Sequence, residues 1–275
     1  MEGCQMRHFM IAAGFAVSLW VTPALAGNVV LTGHDNDLHQ SANARAQTLA
    51  SLNFIRNGSL LPVLTFDRGS QLTSLLTSLG IAFINVNPGI AANITDSLFS
   101  AAIYSAFAVA SQASCGGCDN QPIDVANIAS HSTAIQAFFN AGGGIYGLAG
   151  ASNPNAYAYV PETATNPGGS PSATGHVQTA DGLLLGIPTV NGDATHNFFA
   201  APGSAGLSAL YKVVETQNVG GQALTVALSN GTIICTGASC TIGGGSGGDT
   251  AVPEPASIAI LGLSLAGFSL IRRRA

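Results

Sequence analysis

Fourteen residues near the middle of the chain, Phe138-Phe139-Asn140-Ala141-Gly142-Gly143-Gly144-Ile145-Tyr146-Gly147-Leu148-Ala149-Gly150-Ala151, constrain the fold more than any other stretch. An amphipathic run stops at three glycines, a short apolar strand follows, and a second cluster of small residues turns the chain sharply. Helix, strand and tight turn in that order belong to an open α/β sheet. Such folds usually present a nucleophile at this turn, and here the position is Ala149.

The flanking sequence repeats the same alternation. Residues 27–33 read as a first strand, and Ala42, Ala46, Leu49, Leu52 and Ile55 form one stripe of a helix closed by Asn57-Gly58. Residues 61–66 predict a second strand leaving through Asp67-Arg68-Gly69, then a helix with Leu72, Leu75, Leu76 and Leu79 inward, ending at Gly80. Residues 81–86 predict a third strand that leaves through Asn87-Pro88-Gly89. Residues 95–113 read as a long, largely apolar helix and residues 123–129 as the fourth strand. Thr133 and Gln136 have capping-box spacing before a helix over 134–140, and Ile145-Tyr146-Gly147 is the fifth strand. Residues 152–175, rich in Asn, Pro, Gly, Ser and Thr, read as a surface loop. Residues 209–216, 222–229 and 232–235 predict antiparallel strands, the last two joined by a turn at Asn230-Gly231. The expected class is α/β: a flavodoxin-like open, mostly parallel sheet with helices on both faces and a C-terminal antiparallel edge.

The two ends carry addresses. Residues 1–26 combine Arg7, an apolar run over 9–17 and Ala24-Leu25-Ala26, the order of a secretory signal peptide cut before Gly27. A domain over 27–242 and a Gly/Ser linker over 243–251 lead to residues 252–275, where Pro253-Glu254-Pro255 precedes sixteen uncharged residues and Arg272-Arg273-Arg274. This tail resembles the PEP-CTERM sorting signal of Gram-negative bacteria. The resemblance implies an apolar helix held in the inner membrane until the enzyme exosortase processes it, and export to the cell surface or the exopolysaccharide matrix.

Cysteine usage fits an oxidising destination. Cys4 leaves with the signal peptide, and Cys115–Cys118 and Cys235–Cys240 are the simplest pairing of the remaining four. A redox pair or half a zinc site is the other reading of Cys115-Gly116-Gly117-Cys118. Without residues 1–26 and 252–275 the chain keeps four basic and eleven acidic residues, a formal net of −7. Nucleic acid and anionic lipid are therefore not expected partners.

The body from about residue 28 to 234 resembles the class I glutamine amidotransferase-like superfamily, in particular its ThuA-like branch. The residues that carry the resemblance are Val30-Leu31-Thr32-Gly33 with His39 downstream, Phe138 through Ala151, Leu185-Gly186-Ile187-Pro188 and Asp193-Ala194-Thr195-His196-Asn197-Phe198-Phe199. Family members place a cysteine where this chain has Ala149, so the resemblance implies no thiolate chemistry here. Polar residues at the strand exits are the remaining candidates: His34, Asp35, Asp37 and His39 after the first, Asp67 and Arg68 after the second, Asn87 after the third, His131 after the fourth, and His196. They read either as ordinary loop polarity or as a ligand site at the crevice where parallel strands open. His34-Asp35-x-Asp37-x-His39 has ligand types suited to a divalent cation, yet it lacks the EF-hand pattern and serves equally as an Asx-capped turn. No organic cofactor is expected. Two functions follow: a non-catalytic, ligand-binding surface protein, or a secreted hydrolase acting on carbohydrate through the crevice His and Asp residues.

Overall fold

The structure, a computed structural model, describes residues 26–112, 116–150, 153–160, 173–193, 195–204, 207–236 and 239–244. Five short parallel strands form its centre: β1 (Gly27–Thr32), β2 (Val63–Phe66), β3 (Phe83–Val86), β4 (Ala106–Val109) and β5 (Gly144–Gly147). Four of them are buried along their whole length, which is why they read as continuous apolar runs rather than alternating ones. β6 (Val177–Gln178), β7 (Lys212–Thr216), β8 (Ala223–Thr236) and β9 (Ser239–Gly244) complete the sheet. The order is β3-β2-β4-β5-β1-β8-β7-β6, parallel as far as β1 and antiparallel beyond it, with β9 paired to β8. The expected class is therefore correct.

Helices cover both faces. On one, α1 (Ala42–Arg56) and α2 (Gln71–Ser78) press Leu52, Ile55, Leu72 and Leu76 against Val30, Val63, Ala108 and Tyr146. On the other, α3 (Pro122–Ala129) and α4 (Ser132–Asn140) bury Ile128, Ile135, Phe138 and Phe139 against Val29, Leu31, Phe107 and Ile145. α1 begins where Ser41 accepts from the Ala44 N–H and ends at Asn57 in the left-handed region, φ 47°. A short α5 (Ala180–Leu185) is closed by Gly186, φ 67°.

Several expectations fail. The expected helix over residues 95–113 is not found in its described part, 95–112: single 3-10 turns at Ala91–Asn93 and Asp96–Leu98 lead into β4, the true fourth strand. An apolar run bound for the middle of a parallel sheet has no periodicity to separate it from a buried helix. Residues 123–129 are helical, because Pro122 opens α3 and the Gln121 and Asp124 side chains cap it reciprocally. Thr133 lies inside α4, whose first turn has no side-chain cap. In the turn over residues 153–160, part of the expected surface loop, Pro154, Asn155 and Ala158 are exposed, but Tyr157 and Tyr159 enter the core, each 1% exposed. Asn230, φ 54°, does not turn the chain back but kinks a continuous β8, opposite a register shift in β1. The hairpin falls after Thr236, tied by a Cys235–Cys240 disulfide across the β8–β9 register, and Gly243 and Gly244 still belong to β9. The expected signal peptide through residue 25, Cys115 and hence its expected pairing with Cys118, Ser152, and the tail from residue 245 lie outside the described residues. Among the described residues no helix is long and apolar enough to cross a membrane.

Candidate functional site

The end of β1 positions most of the candidates. Gly33 has no side chain, and a Cβ there would meet the Asn197 carbonyl at 2.0 Å. The 195–197 segment therefore crosses directly over the strand end: the His196 N–H donates to Gly33 O at 2.7 Å, and His34 bridges Thr195. His34 and Asp35, adjacent in sequence, then face different partners.

His34 joins a closed network. Its Nε2 lies 3.0 Å from Glu215 Oε2, and the same carboxylate accepts from Gln47 Nε2 at 2.9 Å, Thr225 Oγ1 at 2.9 Å and the Val190 N–H at 2.8 Å. His176 stands 3.8 Å from Glu215 Oε1, and its Nδ1 bonds Val190 O. All three residues are buried. Burial alone would raise the Glu215 pKa, but the hydrogen bond and charge of His34, the Val190 amide and the Thr225 hydroxyl outweigh it and hold the carboxyl below its usual range. His34 Nδ1 has no hydrogen-bond partner, and neither has Oδ1 of Asn36, whose amide donates to Gln47 Oε1. These contacts join β1, α1, β7, β8 and the residue 190 loop.

Asp35 sits in a different kind of cluster. Its side chain is fully buried, while His39 and His196 beside it are 50% and 21% exposed. Asp35 Oδ2 is 3.2 Å from His196 Nε2 and 3.6 Å from His39 Nε2, and His39 Nδ1 is 3.0 Å from Asp193 Oδ1. Asp35 Oδ1 has no hydrogen-bond partner. The Asp35 hydrogen bond raises the His196 pKa above its ordinary value, against an opposing cost of burial. Two carboxylates thus face two accessible imidazoles, a set able to hold a cation, orient a polar ligand or move a proton.

The other candidates are elsewhere or engaged. Asp37 is buried, accepts from the Ser111 N–H at 2.9 Å and the Ser111 hydroxyl at 2.5 Å, and is pushed up to about 7 by burial. Asp67 accepts from the Gly69 and Thr73 amides at the start of α2 and is raised to about 6, burial again outweighing those bonds. Arg68 forks onto Asp124 at 2.8 and 2.5 Å. Asn87 receives the Gly89 N–H within its own turn. His131 pairs with Asp96 at 2.6 Å, between α3 and α4 and not at a strand exit. His34, His131 and His196 therefore share no pocket. Ala149 is fully buried, and its N–H donates to His34 O at 3.0 Å, so neither side chain nor amide faces a substrate. Sequence reasoning did not single out Asp193, His176 or Glu215 as site residues. Asp193 had a signal, three positions before His196, whereas Glu215 looked like one polar residue of an edge strand.

Residues 251–274 match the PEP-CTERM protein-sorting motif. No curated protein and no solved structure matches the chain. The match implies export, sorting to the bacterial cell surface and processing by exosortase.

Proposed function

We propose that this exported protein works at the cell surface or in the exopolysaccharide matrix by binding a ligand in the crevice of Asp35, His39, Asp193 and His196. The observation that carries the reading is the buried Asp35 carboxylate, shared by two partly exposed histidines and with one oxygen unsatisfied. A buried acceptor left open costs about 1–3 kcal/mol, which a donor or cation supplied by a ligand would recover. We propose further that the body is a degenerate relative of the glutamine amidotransferase-like superfamily. Its five parallel strands and the small-residue turn after β5 support this. Acyl transfer is not its work: the nucleophile position is Ala149, and the Gly150 amide that would hold an oxyanion is spent on Asn197 Oδ1. Even Ala149→Cys should release no ammonia from glutamine.

Cosedimentation of the full-length protein with exopolysaccharide extracted from the producing cells tests the reading. Wild type should pellet with the polymer and Asp35→Asn should stay in the supernatant; equal pelleting of both would refute the site. One observation favours a second reading, a hydrolase acting on carbohydrate: Asp35 holds His196 as a general base is held, by a carboxylate on one ring nitrogen. Reducing sugar released by wild type and not by His196→Ala would decide for it.

A further inference from the structure

The geometry points to a divalent transition-metal site, of the zinc type, made by Asp35, His39, Asp193 and His196. The inference rests on the reading that this crevice is the ligand site, and names its occupant. One donor atom each from Asp35, His39 and Asp193 lies within 4.8 Å of the others, and His196 Nε2 is 3.2 Å from Asp35 Oδ2. Ligands about 2.0–2.1 Å from a tetrahedral zinc stand roughly 3.4 Å from one another; the Asp35–His196 pair, at 3.2 Å, already has that spacing, and the Asp35, His39 and Asp193 donors, within 4.8 Å of one another, need to draw closer around the ion.

Asp35 supplies the second, independent observation. It is wholly buried, yet Oδ1 has no hydrogen-bond partner, so the carboxylate has acceptor capacity that no protein donor uses. A cation between Asp35 and Asp193 fills it. His39 stands between the two carboxylates, Nε2 toward Asp35 and Nδ1 toward Asp193, and its half-exposed ring is free to turn one nitrogen to an ion held by both. Mixed nitrogen and oxygen donors favour zinc or a neighbouring divalent metal over calcium or magnesium, which take oxygen alone. Half-exposed His39 leaves a way in.

The neighbouring His34, His176 and Glu215 have equally close donor atoms but do not make a competing site. Glu215 already takes four donors, and His176 Nδ1 is committed to Val190 O.

Full-length protein stripped with EDTA and titrated with zinc should take up one ion per chain. Asp193→Asn and His39→Ala should each weaken uptake at least roughly tenfold, and His131→Ala should leave it unchanged. Cobalt added to wild type, which needs no variant to fold, should give the intense visible absorption of a four-coordinate site, lost on adding zinc. No stoichiometric uptake by wild type, or uptake untouched by both variants, overturns the site. If polysaccharide binding then persists in EDTA, the crevice is a ligand site without a metal; if both fail, the underlying reading fails too.

Discussion

His34 and Asp35 are neighbours in sequence and opposites in circumstance. His34 belongs to a network in which Glu215 is met from four directions and no side chain reaches solvent, whereas Asp35 is flanked by exposed imidazoles and keeps an oxygen unpaired. Both clusters consist of histidine and carboxylate, so residue type does not separate them. Access does: the Glu215 carboxylate is met on all sides and sealed from solvent, although His34 Nδ1 has no partner, whereas His39 opens the Asp35 cluster to solvent.

The largest effect should come from breaking the closed half. Glu215→Ala strands His34, Gln47 and Thr225, and loss of one partner of a buried pair costs about 3–5 kcal/mol. The thermal midpoint should fall by roughly 10 °C or more. Asp35→Asn should shift it little, because the buried anion it removes was incompletely satisfied. Equal losses in calorimetry would erase the distinction. The pH dependence sharpens it. The folded pKa of Glu215 is depressed, so its contribution is present above the ordinary carboxylate range and is lost as pH falls through the folded value. Asp37 has the opposite sign: raised to about 7, it favours the folded state below its unfolded value near 3.8, and that contribution is lost as pH rises through 7. Urea midpoints across pH 3–8 should show Glu215→Gln removing acid-side loss and Asp37→Asn flattening the decline toward neutrality.

Gly33→Ala comes next. Its Cβ would push the 195–197 segment off the strand end, costing about 1–3 kcal/mol and carrying His196 away from Asp35. Zinc uptake should fall with stability here, whereas Glu215→Gln should lower stability while leaving uptake intact in the folded fraction. The smallest effect belongs to Cys235 and Cys240, whose sequence separation of 5 closes a short loop; Cys→Ser at both should cost up to about 2 kcal/mol and leave uptake unchanged.

The glycine-rich stretch before β5, the Asn57 stop and the Leu72, Leu75, Leu76 stripe were legible because each is a local signal. β4 was not, since a run buried on both faces carries no period. Half of the site was legible in the same way: His34 to His39 announce a polar strand exit. What closes one cluster and leaves the other open is tertiary. Glu215 arrives from an antiparallel strand 181 positions after His34, and Asp193 with His196 arrive by the backbone crossing at Gly33. No spacing in the chain encodes those meetings.

Imidazole nitrogen-15 resonances of the folded, full-length protein, followed during zinc titration, test the division between the two clusters most directly. The account predicts that His39 and His196 shift in proportion to one bound ion while His34, His176 and His131 stay fixed. Shifts at His34 and His176 with His39 and His196 unmoved would mean that the open and closed halves have been assigned the wrong way round.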